Sequence, residues 1–559
     1  MSHHRSQPWH LPKRAVAAAG GIVASQSLRA AQLGARVLAA GGNAVDAAVV
    51  TGFAVGVAEP WMSGLGGGGY MLVQRAGEPS AQVVDFGMVA PRGLDPADYP
   101  LAGSAEDRAA DLFDWPRVVG DRNLKGAASV AVPGQVDGMR LALERFGSIA
   151  WRDALAPAIA LAEEGLAVDW FTALGIAVAA RELAEFEAAR AVFLPDGLPP
   201  TPGPDGAPRR LPLGRLAHTL RRLAEAGGRD FYEGAIAESI VREVRAAGGC
   251  LDHADLKAYR ATIRPALEIP YRGLTVSAAP GLTAGPTLAR VLNRLEAALP
   301  IGREPDVPDA AAYRTYAEVL HDAYTERFAT MGHANETASP SCTTHISVVD
   351  SAGTMVALTQ TLLSRFGSKL LLPETGILMN NGIMWFDPQP GRPNSLAPGR
   401  RPLSNMCPVI IGRRAEDGAE EAAPWLALGA SGGRRILPAV AQILSFLVDF
   451  RLPLEAAFHQ PRLDASGEPA VTVDDRLPEA VFEAVAAALP ARRGALSVYP
   501  VLFASPNAVL REAGRNAGMA DIASPWSGAV AADAAGKSGL TSDLSTEDCR
   551  SRRMTRPPA

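Results

Sequence analysis

Apolar positions recur with two different periods along this chain, and the segments that carry them outline an alternation of strands and helices. GIVASQ (21–26) is a short apolar run that predicts a strand, and LGARVLAAGG (34–42) predicts a helix stopped by its glycine pair. Asn43 caps a second helix through Val57, in which small apolar residues surround Asp46 on nearly every face; such a helix belongs in an interior layer. Helical periodicity returns over 151–192 and 214–248, separated by the Pro/Gly-rich loop PDGLPPTPGPDGAPRR (195–210). YRGLTVSAAP (271–280) reads as a strand entering a turn, TLARVLNRLEAAL (287–299) as a helix, and 309–328 as a longer one. ATMGHANETASPSC (329–342) follows neither period and reads as a flexible, exposed connection. Residues 415–424 read as a solvated loop, and the tail from about 534 as a disordered end. No internal repeat is visible.

The clearest strand pair follows that connection. THISVVD (344–350) and TMVALTQT (354–361) flank Ser351-Ala352-Gly353, a three-residue turn with glycine where a left-handed residue is commonly needed. Pairing Asp350 with Thr354 sets Thr343 directly across from Thr361. Strand alternation then puts Ile346, Val348, Val356 and Leu358 on a core face, and Thr343, His345, Ser347, Thr359 and Thr361 on the other. This second set is either a hydroxyl-rich solvent face or the setting of a nucleophile. A threonine hydroxyl attacks only when a base removes its proton, and one solution is the residue's own freed α-amine, a group that titrates at about 7.7–8.0 in short peptides. That solution needs a cut just before the nucleophile. Thr343 is the best candidate, with Thr361 as its hydrogen-bond partner and Cys342–Thr343 as the bond to be cut. A one-residue slip in register would reverse the choice. His345 is a rival base or a structural residue.

A second candidate feature follows the strand WLALGAS (425–431). Gly432 and Gly433 lead into the helical run RRILPAVAQILSFLVDF (434–450), whose first N–H groups form either a tight turn or an oxyanion hole. Arg434 and Arg435 lie where the helix dipole disfavours cations, so they are either solvent-exposed or offset by an anion such as a substrate carboxylate. GRRPLSNMCP (399–408) supplies Arg401, Ser404 and Asn405, which orient a polar substrate or cap local backbone. The glycines of SGLGGGGYMLVQR (63–75) satisfy the letters of a dinucleotide fingerprint, but in the wrong order: a helix precedes them and a strand follows. They read as a tight turn with close backbone approach.

Composition narrows the function classes. Of 559 residues, 48% are hydrophobic and 20% charged, as in a globular protein with a large core, and the formal net charge of −5 gives no reason to bind nucleic acid or an anionic membrane. A small-molecule amide or peptide substrate fits better. Cys250, Cys342, Cys407 and Cys549 are widely spaced and the nine histidines form no ligand pattern, so neither a disulfide framework nor a metal is expected, and no cofactor. The polar N-terminus and the short, Gly-interrupted run from Ala15 to Val23 read as neither signal peptide nor membrane span, which makes a cytoplasmic location the expectation.

Taken together, GGNAVDAAVV, AEPWMSGLGGGGYMLV, ASVAVPGQVDG, TTHISVVDSAGTMVALTQTL, ETGILMNNG, RRPLSNMCP and GASGGRRI resemble, in order, the γ-glutamyltransferase family of N-terminal-nucleophile hydrolases. The resemblance covers nearly the whole chain. It implies an α+β fold, a four-layer αββα sandwich, made as a precursor that cuts itself into a large subunit (1–342) and a small catalytic subunit (343–559). It makes Thr343 the nucleophile, Thr361 its support, Ser404 a substrate-binding residue beside Asn405, and Gly432–Gly433 the oxyanion hole; the helix-start argument adds Arg434 to the substrate-binding candidates. Three departures bear on substrate. Gly87 stands where the family's Asp-Phe-Arg places its carboxylate-binding arginine, Trp385 where transpeptidases place an aspartate for the α-amine, and Leu363 and Asn405 replace an asparagine and a serine. The segment WFDPQPGRPNSLAPG is similar to that of cephalosporin-acylase-like members lacking a lid. The expected activity is cleavage or transfer of γ-glutamyl or glutaryl-like acyl groups, hydrolysis foremost; the alternative is a scaffold of the same fold that never matures.

Overall fold

The computed structural model describes residues 10–103, 115–203, 208–299, 307–332, 342–414, 422–467, 469–499 and 501–535. Its centre is two seven-stranded sheets, each antiparallel throughout. The strands are β1 (Val16–Ala18), β2 (Ile22–Ser25), β3 (Gly68–Gln74), β4 (Gln82–Phe86), β5 (Thr262–Pro265), β6 (Leu267–Tyr271), β7 (Leu274–Ala278), β8 (Cys342–Val349), β9 (Met355–Leu363), β10 (Val409–Arg414), β11 (Ala422–Ser431), β12 (Ser505–Glu512), β13 (Arg515–Ala520) and β14 (Gly528–Ala531). One sheet runs β1-β13-β12-β11-β10-β7-β6, and the other β14-β2-β8-β9-β3-β4-β5.

Alternate residues of single strands fall into different cores, and this defines the layers. Val356 and Leu358 of β9 pack into one core with the helices α1 (Leu28–Ala39), α2 (Ala44–Ala58) and α3 (Gln135–Phe146). Their neighbours Met355 and Ala357 join Ala427 of β11 and Val509 of β12 in a second core between the sheets. Leu426 and Leu428 of β11 turn the other way, into a third core with α4 (Gly285–Ala298), α5 (Ala310–Thr330) and α6 (Ile436–Val448). Three cores separate four layers, so the molecule is the αββα sandwich that the resemblance implied.

Local chemistry accounts for the expected elements. Asn43 and Asp46 form a reciprocal capping box at the start of α2, and the buried Asp46 carboxylate also accepts from the amides of Ser148 and Ile149. The first helix begins at Leu28, earlier than its periodicity suggested, and ends before Gly41, whose φ of 93° suits glycine. The run from Ala15 to Val23 contributes β1 and the first two residues of β2. YRGLTVSAAP is more than one strand: Arg272 and Gly273, with φ of 54° and 78°, close a β6–β7 hairpin. A two-stranded antiparallel pair, Leu166–Val168 with Arg209–Leu211, interrupts the helical half. Most of the connection at 329–342, of the loop at 415–424 and of the tail lies outside the described residues. Among the described residues no helix is long and apolar enough to cross a membrane, and no cluster of ligating side chains could hold a metal.

Candidate active site

The β8–β9 hairpin pairs as its turn predicts over most of its length: Thr344 opposes Gln360, His345 opposes Thr359, and Val349 opposes Met355. Asp350 N donates to Thr354 O at 3.1 Å, and Gly353 has a φ of 97°. The register then shifts. Cys342 pairs with Leu363, so Thr343 faces two residues, Thr361 and Leu362, at a β-bulge whose extra residue lies on β9, instead of pairing with Thr361 alone.

The polar face of this hairpin does not face solvent. Thr343, His345, Ser347, Thr359 and Thr361 are all fully buried, because the face lies against the second sheet. His345 Nδ1 is 2.8 Å from Thr359 Oγ1 and its Nε2 3.0 Å from Ser347 Oγ, while Asn507 Nδ2 donates to His345 O at 2.7 Å. Its ring fills the space left by the absent side chain of Gly429, where a Cβ would come within 2.3 Å. Burial pushes the His345 pKa down to about 3, so the imidazole stays neutral with both nitrogens engaged inside the sandwich. These bonds make it a structural residue.

Strand direction brings the distant candidates to one end of the molecule. Ser347 Oγ donates to Asn507 O, and Gly353 lies beside Arg511, so β8 runs alongside β12 in the same sense. Ser505 of β12 pairs with Ser431 of β11, and Val409 of β10 with Leu428. The beginning of β8 (Thr343), the end of β9 (Thr361), the Ser431–Gly432 corner and the segment leading into β10 (Ser404–Asn405) therefore share an end of the sandwich.

That corner has the conformation of a tight strand-to-helix turn. Gly432 and Gly433 have φ of 135° and 68°, and a Cβ on Gly432 would lie 2.8 Å from Ala504 Cα. A 3-10 turn over Gly433–Arg435 precedes α6, and the leading amides of such a turn have no intrahelical acceptor. Arg434 and Arg435 are half-buried, not fully exposed. The Arg434 guanidinium lies 4.8 Å from the Phe328 ring centroid, and Arg435 Nε is 3.9 Å from Asp464 Oδ2, which supplies an anion beside the helix start.

Ser404 and Asn405 are buried and held from α5. Arg327 donates through Nη2 to Ser404 O (3.0 Å) and Asn405 Oδ1 (3.3 Å), and through Nη1 to Thr283 O and Thr287 Oγ1. No carboxylate among the described residues pairs with it, and burial lowers its pKa to about 10, which leaves it a cation at neutral pH. One turn earlier Tyr324 donates to Arg434 O, so a single helix face ties both substrate-binding candidates to the corner. Ser404 Oγ accepts from Met406 N at 3.2 Å. Arg327 carried a signal in the sequence: it continues the stripe of Tyr313, Tyr316, Leu320 and Tyr324, a charge on an apolar face.

Thr361 Oγ1 accepts from Leu363 N at 2.8 Å. The loop beyond it is strained, with positive φ at Leu363 (90°), Phe366 (58°) and Lys369 (63°). Asn381 braces it by accepting from Ser364 N and donating to Ser364 Oγ, and Asn380 spends its amide on Gly66 O and Ala131 O. The glycines at 66–69 serve packing, as their order in the sequence implied. A Cβ on Gly67 or Gly69 would lie 2.4 or 2.2 Å from the carbonyls of Thr361 or Thr359, so they permit β3 to approach β9. At the departures, a Cβ on Gly87 would meet Tyr70 Oη at 2.7 Å, while Arg401 and Arg264 both pair with Asp85. Trp385 is buried, with its Nε1 unpartnered among the described residues.

Comparison with known proteins agrees with this architecture. A family model described as Gamma-glutamyltranspeptidase matches residues 30–342 and 329–531. The Acylase ACY 1 proenzyme of Pseudomonas sp. (strain SE83) is 32% identical over 508 residues, covering 85% of this chain and 88% of that protein. The Glutathione hydrolase proenzyme of Escherichia coli (strain K12) is 32% identical over 499 residues, covering 80% and 81%. Among solved structures, cephalosporin acylase from Bacillus halodurans superposes with a TM-score of 0.80 at 24% identity, covering 95% of this chain and 99% of that one, a likeness of fold.

Proposed function

The chain belongs to the gamma-glutamyltranspeptidase family, with relatives in its acylase-like branch, and from that premise we propose that it is a self-processing threonine hydrolase of γ-glutamyl or glutaryl-like amides. The Thr343 hydroxyl attacks the Cys342 carbonyl, the acyl group moves from nitrogen to oxygen, and water hydrolyses the ester. This divides the precursor into 1–342 and 343–559. The freed α-amine of Thr343 then serves as base. In turnover Thr343 Oγ adds to the amide carbonyl, its proton passes through the α-amine to the departing nitrogen, and water releases the acid from the acyl-enzyme. The Gly432–Gly433 corner offers amides to the developing oxyanion, a type of donor whose loss costs about 10²–10³ in rate. Thr361 supports the nucleophile, and Ser404, Asn405 and Arg434 hold the acyl group.

The observation that carries this reading is the meeting of Thr343, Thr361 and Gly432–Gly433, remote in sequence, at one end of the sandwich. Support for the substrate class comes from the relatives named for acylase and for glutathione hydrolase activity. Gly87 and Trp385 argue against a firm grip on a free amino-acid α-carbon, which favours hydrolysis of glutaryl-like amides over transfer from glutathione. The same departures motivate the other reading, a scaffold that never matures. An assay of γ-glutamyl- and glutaryl-p-nitroanilide with wild type and Thr343→Ala separates them. Release of nitroaniline by wild type alone supports the hydrolase, and its absence from both supports the scaffold.

A further inference from the structure

A cleft of about 500 Å³ opens at the same end of the molecule, with Ser431 and Gly432 in its lining. Its walls are aromatic: Trp61, Phe171, Tyr499, Phe503 and Trp526. Phe171 and Trp526 stack at an interplanar angle of 11°, and Trp170 packs edge-on against both. The rim is apolar too. Nine large hydrophobic side chains are exposed among the described residues; Val178, Tyr499 and Val501 line this cleft, and Trp170 packs on its wall. Such a concentration around one opening marks a binding surface, whereas scattered exposed residues would not.

The polar groups in the lining differ in how they are engaged. Lys369 pairs with Glu182 at 3.3 Å, and Arg435 approaches Asp464. Half-buried Arg365, in the strained loop after Thr361, makes no hydrogen bond or ion pair among the described residues. An unpaired guanidinium in the lining of an aromatic-walled cleft suits a flat apolar group that ends in an anion. Ser404 and Asn405 are absent from the lining, so the cleft holds the part of the substrate that they do not.

We propose that this cleft is the leaving-group subsite, and that the preferred substrate is an amide of an aromatic amine bearing a carboxylate, with the ring against the wall formed by Trp61, Phe171 and Trp526 and the carboxylate on Arg365. The assignment of the leaving side rests on the hydrolase reading above; the cleft's choice of ligand does not. Three amides with one acyl group test it: glutaryl-6-amino-2-naphthoate, glutaryl-2-naphthylamide and glutarylglycine. The expected kcat/KM falls in that order, by about tenfold or more at each step. Arg365→Gln should raise KM for the naphthoate about tenfold and leave the naphthylamide unchanged, while Trp526→Ala should weaken both aromatic substrates and spare glutarylglycine. Equal kcat/KM for all three, or variants that change every substrate alike, overturns the proposal while leaving the hydrolase intact. If no amide is cleaved, the hydrolase reading fails, and calorimetric titration of the full-length Thr343→Ala protein with 6-amino-2-naphthoate decides the cleft alone. Binding at one site that Arg365→Gln weakens about tenfold supports it, and no binding, or binding indifferent to Arg365, overturns it.

Discussion

Thr343 and His345 lie two residues apart on one strand, are equally buried, and belong to the same run of hydroxyls and imidazole, yet their surroundings differ. At His345 the ladder is regular, both ring nitrogens are bonded within the sandwich, and the facing strand has a glycine to admit the ring. At Thr343 the register slips, and the partner strand ends in a loop with three non-glycine residues at positive φ. Backbone outliers of this kind cluster at functional sites, the setting that the proposed hydrolase assigns to Thr343, whereas a regular ladder with satisfied donors serves packing. Polar residues of one face can thus have opposite destinations, decided by what covers them.

The contrast can be broken experimentally, and the largest effect is expected at the irregular end. Thr343→Ala should lower amide turnover at least about 10³-fold and leave the precursor uncut, with unchanged thermal unfolding of the uncut chain. Gly432→Ala should cost on the order of 10²-fold in kcat, since its methyl group would collide with the Ala504 backbone and displace the corner amides. Arg327→Met should raise KM about tenfold more than it lowers kcat, because Ser404 and Asn405 lose their donor; restoration of KM by Arg327→Lys would mark a positioning role.

The smallest effect on turnover belongs to the regular end. His345→Gln should change kcat less than about threefold and should instead alter the response to acid. The folded-state pKa of His345 lies near 3, against 6.5 for an unperturbed histidine, so the unfolded chain binds a proton that the folded chain refuses between those values. Stability contributed by the neutral ring is present above pH 6.5 and is lost as pH falls toward 3, at up to about 1.4 kcal/mol per pH unit. Urea titrations of the Thr343→Ala precursor at pH 7 and pH 5 should show a shallower loss in the His345→Gln variant. A slope unchanged by that substitution, or turnover abolished by it, would remove the distinction drawn between the two residues.

Much of this was legible in the sequence, for reasons that differ by residue. The hairpin register followed from a three-residue turn and held from Thr344 to Val349, because side-chain alternation admits no slip while one face is apolar. The bulge opposite Thr343 was not legible, since nothing in Gln360-Thr361-Leu362-Leu363 announces an extra residue on β9. Both glycine runs were visible, and their order relative to helix and strand argued against a dinucleotide site; the close approaches of Gly67 and Gly69 to β9 needed the fold. Burial of the polar face was missed because a strand pattern does not reveal whether a second sheet lies above it. The cleft was hidden as well, because its walls come from residues as distant as Trp61, Phe171, Arg365 and Trp526, and no local period connects them.

The central claim is that Thr343 becomes a chain terminus before it becomes a nucleophile. Purified protein incubated at neutral pH, followed by intact mass and N-terminal sequencing, tests it directly. Two fragments, the smaller beginning Thr-Thr-His-Ile, are the predicted result, with the Thr343→Ala protein intact beside them. A persistent single chain of 559 residues that nevertheless cleaves amides, or a new terminus at any other residue, would contradict it.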